Sequence, residues 1–162
     1  MYSKILVTLD GSEVSQQAIP HAVTLAKQTG AEVILLQVID SESQMLMRAA
    51  GATIEPIPVG QVTADIAHEA VVAEREEAEA NLAGVRDAMT AQGVAKVTTL
   101  VREGYPGDEI VEAAHQAGVD MVVIATHGRS GISRAILGSV ADHVVRNAGD
   151  ASVLLVRAQD ND

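Results

Sequence analysis

Two stretches of this chain carry residues that could do chemistry. The first is Ala125-Thr126-His127-Gly128, followed after nine residues by Gly138-Ser139. It lies between the apolar run Met121 to Ile124 and a helical pattern over Val140 to Val145. A glycine-bearing loop between a strand and a helix start lets backbone N–H groups converge on a phosphate. The longest acid-free run in the chain, residues 121–141, falls here and carries Arg129 and Arg134. In a chain of net charge −11, an anion is least repelled at this place. Arg129 could reach a terminal phosphate, although an Arg in an exposed loop is more often simply solvated. Ser139 reads as a helix N-cap, a role compatible with phosphate contact because the same helix end offers free N–H groups and a positive dipole.

The second stretch is Thr8-Leu9-Asp10-Gly11, at the end of the first apolar run. Asp10 could accept hydrogen bonds from ribose hydroxyls or hold a metal bound to phosphates. It could equally cap the turn into the first helix. Neither loop is a Walker A loop, since no Gly-Lys-Ser/Thr follows, and the first turn, Asp-Gly-Ser-Glu, is not a dinucleotide fingerprint. The five histidines (His21, His68, His115, His127, His143) show no metal-ligand spacing, and only His127 lies near the loop, where a structural role is expected. No Gly-x-Ser-x-Gly elbow is present.

The elements that must position these loops are legible as apolar runs. Residues 5–9, 33–39, 121–125 and 152–156 are rich in Val, Ile and Leu, and 97–101 is a weaker fifth run. They are continuous rather than alternating, as strands buried on both faces are. Helical spacing between them predicts a first helix from Ser12 to Gly30, kinked at Pro20, with Val14, Ala18, Ala22 and Ala26 on one stripe. A second covers 63–92, a third 108–116 and a fourth 139–147. The cluster Glu74, Glu76, Glu77 and Glu79 reads as a solvated helix face. Residues 40–61 read as an irregular connection, and 41–61 as a mobile insertion in a single domain spanning 1–162. Strands alternating with helices predict an α/β fold, a doubly wound five-stranded parallel sheet of order 3-2-1-4-5 with helices on both faces. In such a sheet the ligand crevice lies at the carboxyl ends of the strands where the order reverses, between the ends of strands 1 and 4.

With that arrangement the sequence resembles the universal stress protein family over nearly its whole length. The resemblance rests on residues 4–13 (Lys-Ile-Leu-Val-Thr-Leu-Asp-Gly-Ser-Glu), residues 32–40 and residues 125–140. ATP-binding members carry Gly, two residues, Gly, nine residues, then Gly with Ser or Thr. Gly128, Gly138 and Ser139 match this pattern, and Ala125 stands where the first Gly would be. The resemblance implies an ATP site, with Mg²⁺ or Mn²⁺ as an accompanying ion. Asp10 would face the ribose, the backbone of Val38 the adenine edge, and Gly128, Gly138, Ser139 and Val140 the phosphates. Thr8 takes a position where some members carry Pro. It also implies a homodimer through the last strand, from Ser152 to Val156, whose apolar edge invites self-pairing.

Composition narrows the alternatives. Acidic residues outnumber basic ones 22 to 11, which argues against a nucleic-acid partner. No apolar run is long enough to span a membrane. The N-terminus runs directly into a strand, and cysteine is absent, so a cytoplasmic location is expected. The leading expectation is a homodimeric ATP-binding stress-response sensor or regulator with at most slow hydrolysis. Two others stand beside it: a phosphotransfer or autophosphorylating enzyme, modified at Ser130, Ser133 or Ser139, and a nucleotide-independent module that binds a protein partner.

Overall fold

The computed structural model describes residues 1–51, 61–127 and 138–158. Its core is a five-stranded sheet in which β3-β2-β1-β4-β5 are neighbours and every pair is parallel. The strands are β1 (Lys4–Leu9), β2 (Glu32–Ile39), β3 (Val97–Glu103), β4 (Met121–His127) and β5 (Ser152–Ala158). The fold class and strand order are those expected from the sequence.

Among the described residues six helices accompany the strands: α1 (Glu13–Gln16), α2 (Ala18–Thr29), α3 (Glu42–Gly51), α4 (Gln61–Ala91), α5 (Pro106–Ala117) and α6 (Ser139–Asn147). They cover both faces. On one face Ile5, Val7 and Leu9 of β1 pack with Ala22 and Val23 of α2 and Leu82 and Met89 of α4. On the other, Leu6 of β1 packs with Ile110, Ala113 and Ala114 of α5 and Val144 of α6. Residues of one strand point alternately to the two layers, which is why a continuous apolar run is needed. With almost no aromatics in the chain, α2 and α5 present buried alanines to the sheet, Ala18, Ala22 and Ala26 from one and Ala113 and Ala114 from the other.

Three expectations change. The first helix is broken at Gln17 rather than kinked at Pro20. Restarting at Ala18 puts Pro20 in the first turn of α2, where its missing N–H would have had no helical partner, so the penalty of an interior proline is avoided. Residues 42–51, read as irregular, form α3. A reciprocal cap holds its start: Gln44 N–H donates to Ser41 Oγ at 3.4 Å, and Gln44 Oε1 accepts from Ser41 N–H at 2.8 Å. Residues 52–60 of the expected insertion lie outside the described residues. Finally, Glu74 is not on a solvated face. Glu76, Glu77 and Glu79 are exposed, but Glu74 is half-buried with Oε2 unpartnered, and burial, then the nearby Asp40 carboxylate, push its carboxyl above the ordinary value.

Candidate nucleotide site

The sheet itself opens a crevice. β1 and β4 pair only from Ile5–Met121 to Val7–Val123, although β1 continues to Leu9 and β4 to His127. Above Val7 the two strands part, leaving Thr8 and Asp10 on one side and Ala125 and Thr126 on the other. α2, which follows β1, packs on one face of the sheet, and α6, which follows β4 in sequence, packs on the other. This is the reversal point of a doubly wound sheet. β2 also outruns its neighbour: its last pairing with β1 is Gln37–Leu9, while Val38 and Ile39 pair only with β3. The backbone of Val38 therefore stands beside the end of β1 with no β1 residue opposite it.

At the β1 side, Asp10 does not cap the helix. Ser12 does, its Oγ accepting from Ser15 N–H at 3.1 Å. Asp10 instead closes a tight turn, Oδ1 accepting from Ser12 N–H at 2.9 Å and from the Ser12 hydroxyl at 2.5 Å. Gly11, between them, has φ +80°, the left-handed region glycine tolerates. Partial burial raises the Asp10 carboxyl, but the hydrogen bonds from Ser12, with the Ser15 hydroxyl adding to them, outweigh it and hold Asp10 below the ordinary carboxylate value. The crevice wall thus carries an exposed, ionised acceptor. Thr8, one turn of the pleat below, is buried.

At the β4 side, Ala125 is within the strand, paired in register with Val156. No non-glycine residue among those described has positive φ, so the alanine carries no left-handed strain. Gly128 and Arg129 lie outside the described residues. The helix beyond them begins differently from expectation. Gly138 (φ −60°, ψ 153°) occupies the N-cap and Ser139 is the first helical residue, so Ser139 is not the cap. No side chain caps this end among the described residues, leaving the N–H groups of Ser139 and Val140 at the positive end of α6 without a capping acceptor. Among the described residues a Cβ on Gly138 would meet nothing within 4 Å, and its φ of −60° is open to any residue.

A phosphate-bearing nucleoside fits these donors and acceptors. Amides at the start of α6 suit phosphate oxygens, Asp10 suits sugar hydroxyls, and the uncovered backbone of Val38 suits a base edge. Sequence reasoning also passed over a polar group on β2. Gln37 Oε1 is buried with no hydrogen-bond partner. Its signal was one amide inside the otherwise apolar run 33–39. A separate groove of about 270 Å³ lies at the amino-terminal end of the sheet, lined by His115, Val119 and Asp150 among others. It is remote from the parted strands.

Residues 1–157 match the model of the universal stress protein family. The chain belongs to that family. It is 35% identical to universal stress protein MJ0531 of Methanocaldococcus jannaschii over 97% of this chain and 83% of that one. The solved structure of the M. jannaschii protein MJ0577 superposes with a TM-score of 0.75 at 27% identity, covering 99% of each chain. A universal stress protein crystallised in complex with cAMP shares the fold, with a TM-score of 0.66, 23% identity and 98% of each chain covered. No helix among the described residues is long and apolar enough to cross a membrane.

Proposed function

We propose that this universal stress protein binds an adenine nucleotide, ATP in the first instance, at the parted ends of β1 and β4 and acts as a homodimeric sensor or regulator. The observation that carries the reading is the pairing of an ionised Asp10 on one wall with an uncapped α6 N-terminus behind Gly138 on the other. These groups suit the two halves of a nucleotide, sugar and phosphate. The cAMP complex of a fold relative supports an adenine ligand. In this reading Gly128 and Arg129 complete the phosphate loop together with Gly138, Ser139 and Val140, and Mg²⁺ or Mn²⁺ accompanies the phosphates. Thr8 and Ala125 line the crevice floor. The strand placement of Ala125 supports its tolerance in place of glycine.

The dimer forms through β5. It is an edge strand whose Val153, Leu154 and Leu155 are half-buried in the single chain, and a second copy would cover its free edge. The protein works in the cytoplasm, and hydrolysis is far slower than an ordinary enzyme's turnover of about 10 per second.

The deciding experiment is denaturing extraction of the freshly purified protein, with released small molecules identified by chromatography and mass spectrometry. ATP recovered at near one per chain is the expected result. No nucleotide recovered, together with no thermal shift on adding ATP and Mg²⁺, overturns the reading. Light scattering at micromolar concentration tests the dimer, and elution as a monomer removes it.

A further inference from the structure

α5 and α6 lie side by side on one face of the sheet and meet through two histidines, each set against a glycine of the opposite segment. His143, on α6, lies over Gly107 in the first turn of α5. A Cβ on Gly107 would stand 3.0 Å from the ring carbons Cγ and Cδ2 and 3.2 Å from His143 Cβ. At the far end, His115 of α5 reaches Gly149, just past α6, where a Cβ would stand 3.0 Å from the imidazole Nε2. Together the two seats limit how far α6 can slide along α5. Gly149 has φ +61°, so its backbone asks for glycine on its own account. Gly107 is not among the glycines of positive φ, and it sits within a helix, where alanine is the better residue. The close approach of His143 is what calls for glycine there.

α5 is itself tied to the sheet, since Arg102 of β3 holds Gln116 at 2.7 Å and Glu109 at 3.5 Å. In α6 the Arg146–Asp142 bond and the bond from Asn147 to His143 O stay inside the helix, whereas His143 Nε2 reaches Asp108 of α5 at 3.0 Å. Val144 and Ala148 bury apolar surface beneath α6, and that attraction has no preferred direction. Both partners of the ion pair are exposed, and such pairs contribute little. The ring on Gly107 therefore carries the directional part of the contact.

We propose that His143, seated on Gly107, is a positioning residue that sets the start of α6 where its free N–H groups meet phosphate. The assignment rests on the nucleotide reading above. His143 lies about one turn beyond Ser139, so a push on its Cβ and ring passes along a short helix to the amides of Ser139 and Val140. Hydrogen bonds weaken outside a narrow range of length and angle, and a few tenths of an ångström matter to them. In that reading Asp10 and Val38 meet the sugar and base, and they belong to β1 and β2, which do not move with α6. The effect is thus confined to the phosphate half of the ligand.

Calorimetric titration of the full chain with ATP, and displacement of ATP by adenosine, test this on the parent, Gly107→Ala, His143→Ala and the double variant. Melting temperatures of the ligand-free proteins are measured in parallel. Gly107→Ala pushes His143 away and is expected to lower ATP affinity roughly tenfold, the worth of about one hydrogen bond, while adenosine affinity holds. His143→Ala creates no clash and is expected to show a smaller loss, again for ATP alone. In the double variant the added methyl enters the space the ring has left, and ATP affinity is expected to return to the level of His143→Ala. The proposal is overturned if Gly107→Ala keeps the parent's ATP affinity, if ATP and adenosine are lost together, or if the double variant is no better than Gly107→Ala. Should Gly107→Ala fail to fold, His143→Ala decides, and an ATP-to-adenosine ratio equal to the parent's overturns the proposal. A parent chain that binds no ATP overturns the nucleotide reading itself, and this proposal with it.

Discussion

Asp120 and Asp10 stand at opposite ends of β1 and show two uses of one carboxylate. Asp120, just before β4, accepts at a single oxygen from Ser3 N–H at 2.7 Å, the Ser3 hydroxyl at 2.6 Å and Lys4 N–H at 2.8 Å. Lys4 in turn donates its Nζ to Ala117 O at the end of α5. These bonds join segments far apart in sequence, so breaking them loosens the sheet. Among the described residues Asp10 is bonded within its own turn, to Ser12 and toward Ser15. Local bonds of that kind can rearrange around a ligand without undoing the fold. The amino end of the sheet is closed by long-range contacts, and the carboxyl end is left open.

The sharpest break of this comparison is Asp10→Ala. Hydrogen bonds to a charged group contribute about 1.5–3 kcal/mol, so ATP affinity is expected to fall roughly ten- to a hundredfold by calorimetry, with little change in melting temperature. Unchanged affinity would remove Asp10 from the site. Asp120→Ala is expected to do the reverse, lowering the melting temperature by several degrees while ATP affinity holds; coupled loss of both would erase the distinction between the two ends.

The contrast also has a pH signature. The Ser3 hydroxyl and the N–H groups of Ser3 and Lys4 hold the Asp120 carboxyl down to about 2, against an ordinary value of 3.8. A depressed carboxyl stabilises the fold fully above its ordinary value and loses that contribution as pH falls toward the folded one. Acid unfolding of Asp120→Asn should therefore differ from the parent at pH 5 and converge with it as pH falls toward 2. Curves that stay parallel would contradict the role. The smallest effect belongs to Ser12→Ala, which removes the α1 cap and is expected to cost about 1 kcal/mol in a denaturant titration.

The sheet was readable because strands buried on both faces must be apolar without interruption, and five such runs in alternation with helices leave few topologies. Val38 came only from the family resemblance, whereas Asp10 stood at the end of the first strand run with two equal readings, a ligand contact and a helix cap. The structure separates the two, giving the cap to Ser12. Three of the misreadings share one cause: each turned on where a helix begins. Whether Pro20 breaks a helix depends on its distance from the start, and α2 restarts only two residues earlier, at Ala18. Ser139 follows the cap by a single position. α3 did have a signal, the Ser-x-x-Gln of a capping box at Ser41 and Gln44, but its weakly apolar pattern hid it. Gln37 and Glu74 needed three-dimensional burial to be noticed, because polarity in sequence does not tell whether a partner is present.

The central pairing of β1 with β4 also shapes how the molecule comes into being. Lys4 and Asp120 are 116 positions apart, so during synthesis the first three strands emerge and can associate long before β4 exists. Until then β1 has a bare inner edge of Ile5, Leu6 and Val7, the most water-averse stretch of the sheet. Closing so long a loop is entropically slow, and an unpaired apolar edge is where nascent chains stick to one another. The strand separation that opens the crevice shortens this late seam to three residue pairs. This late seam is therefore also the most lightly stitched of the sheet, and a ligand that bridges it would act as a clasp on the newly made protein.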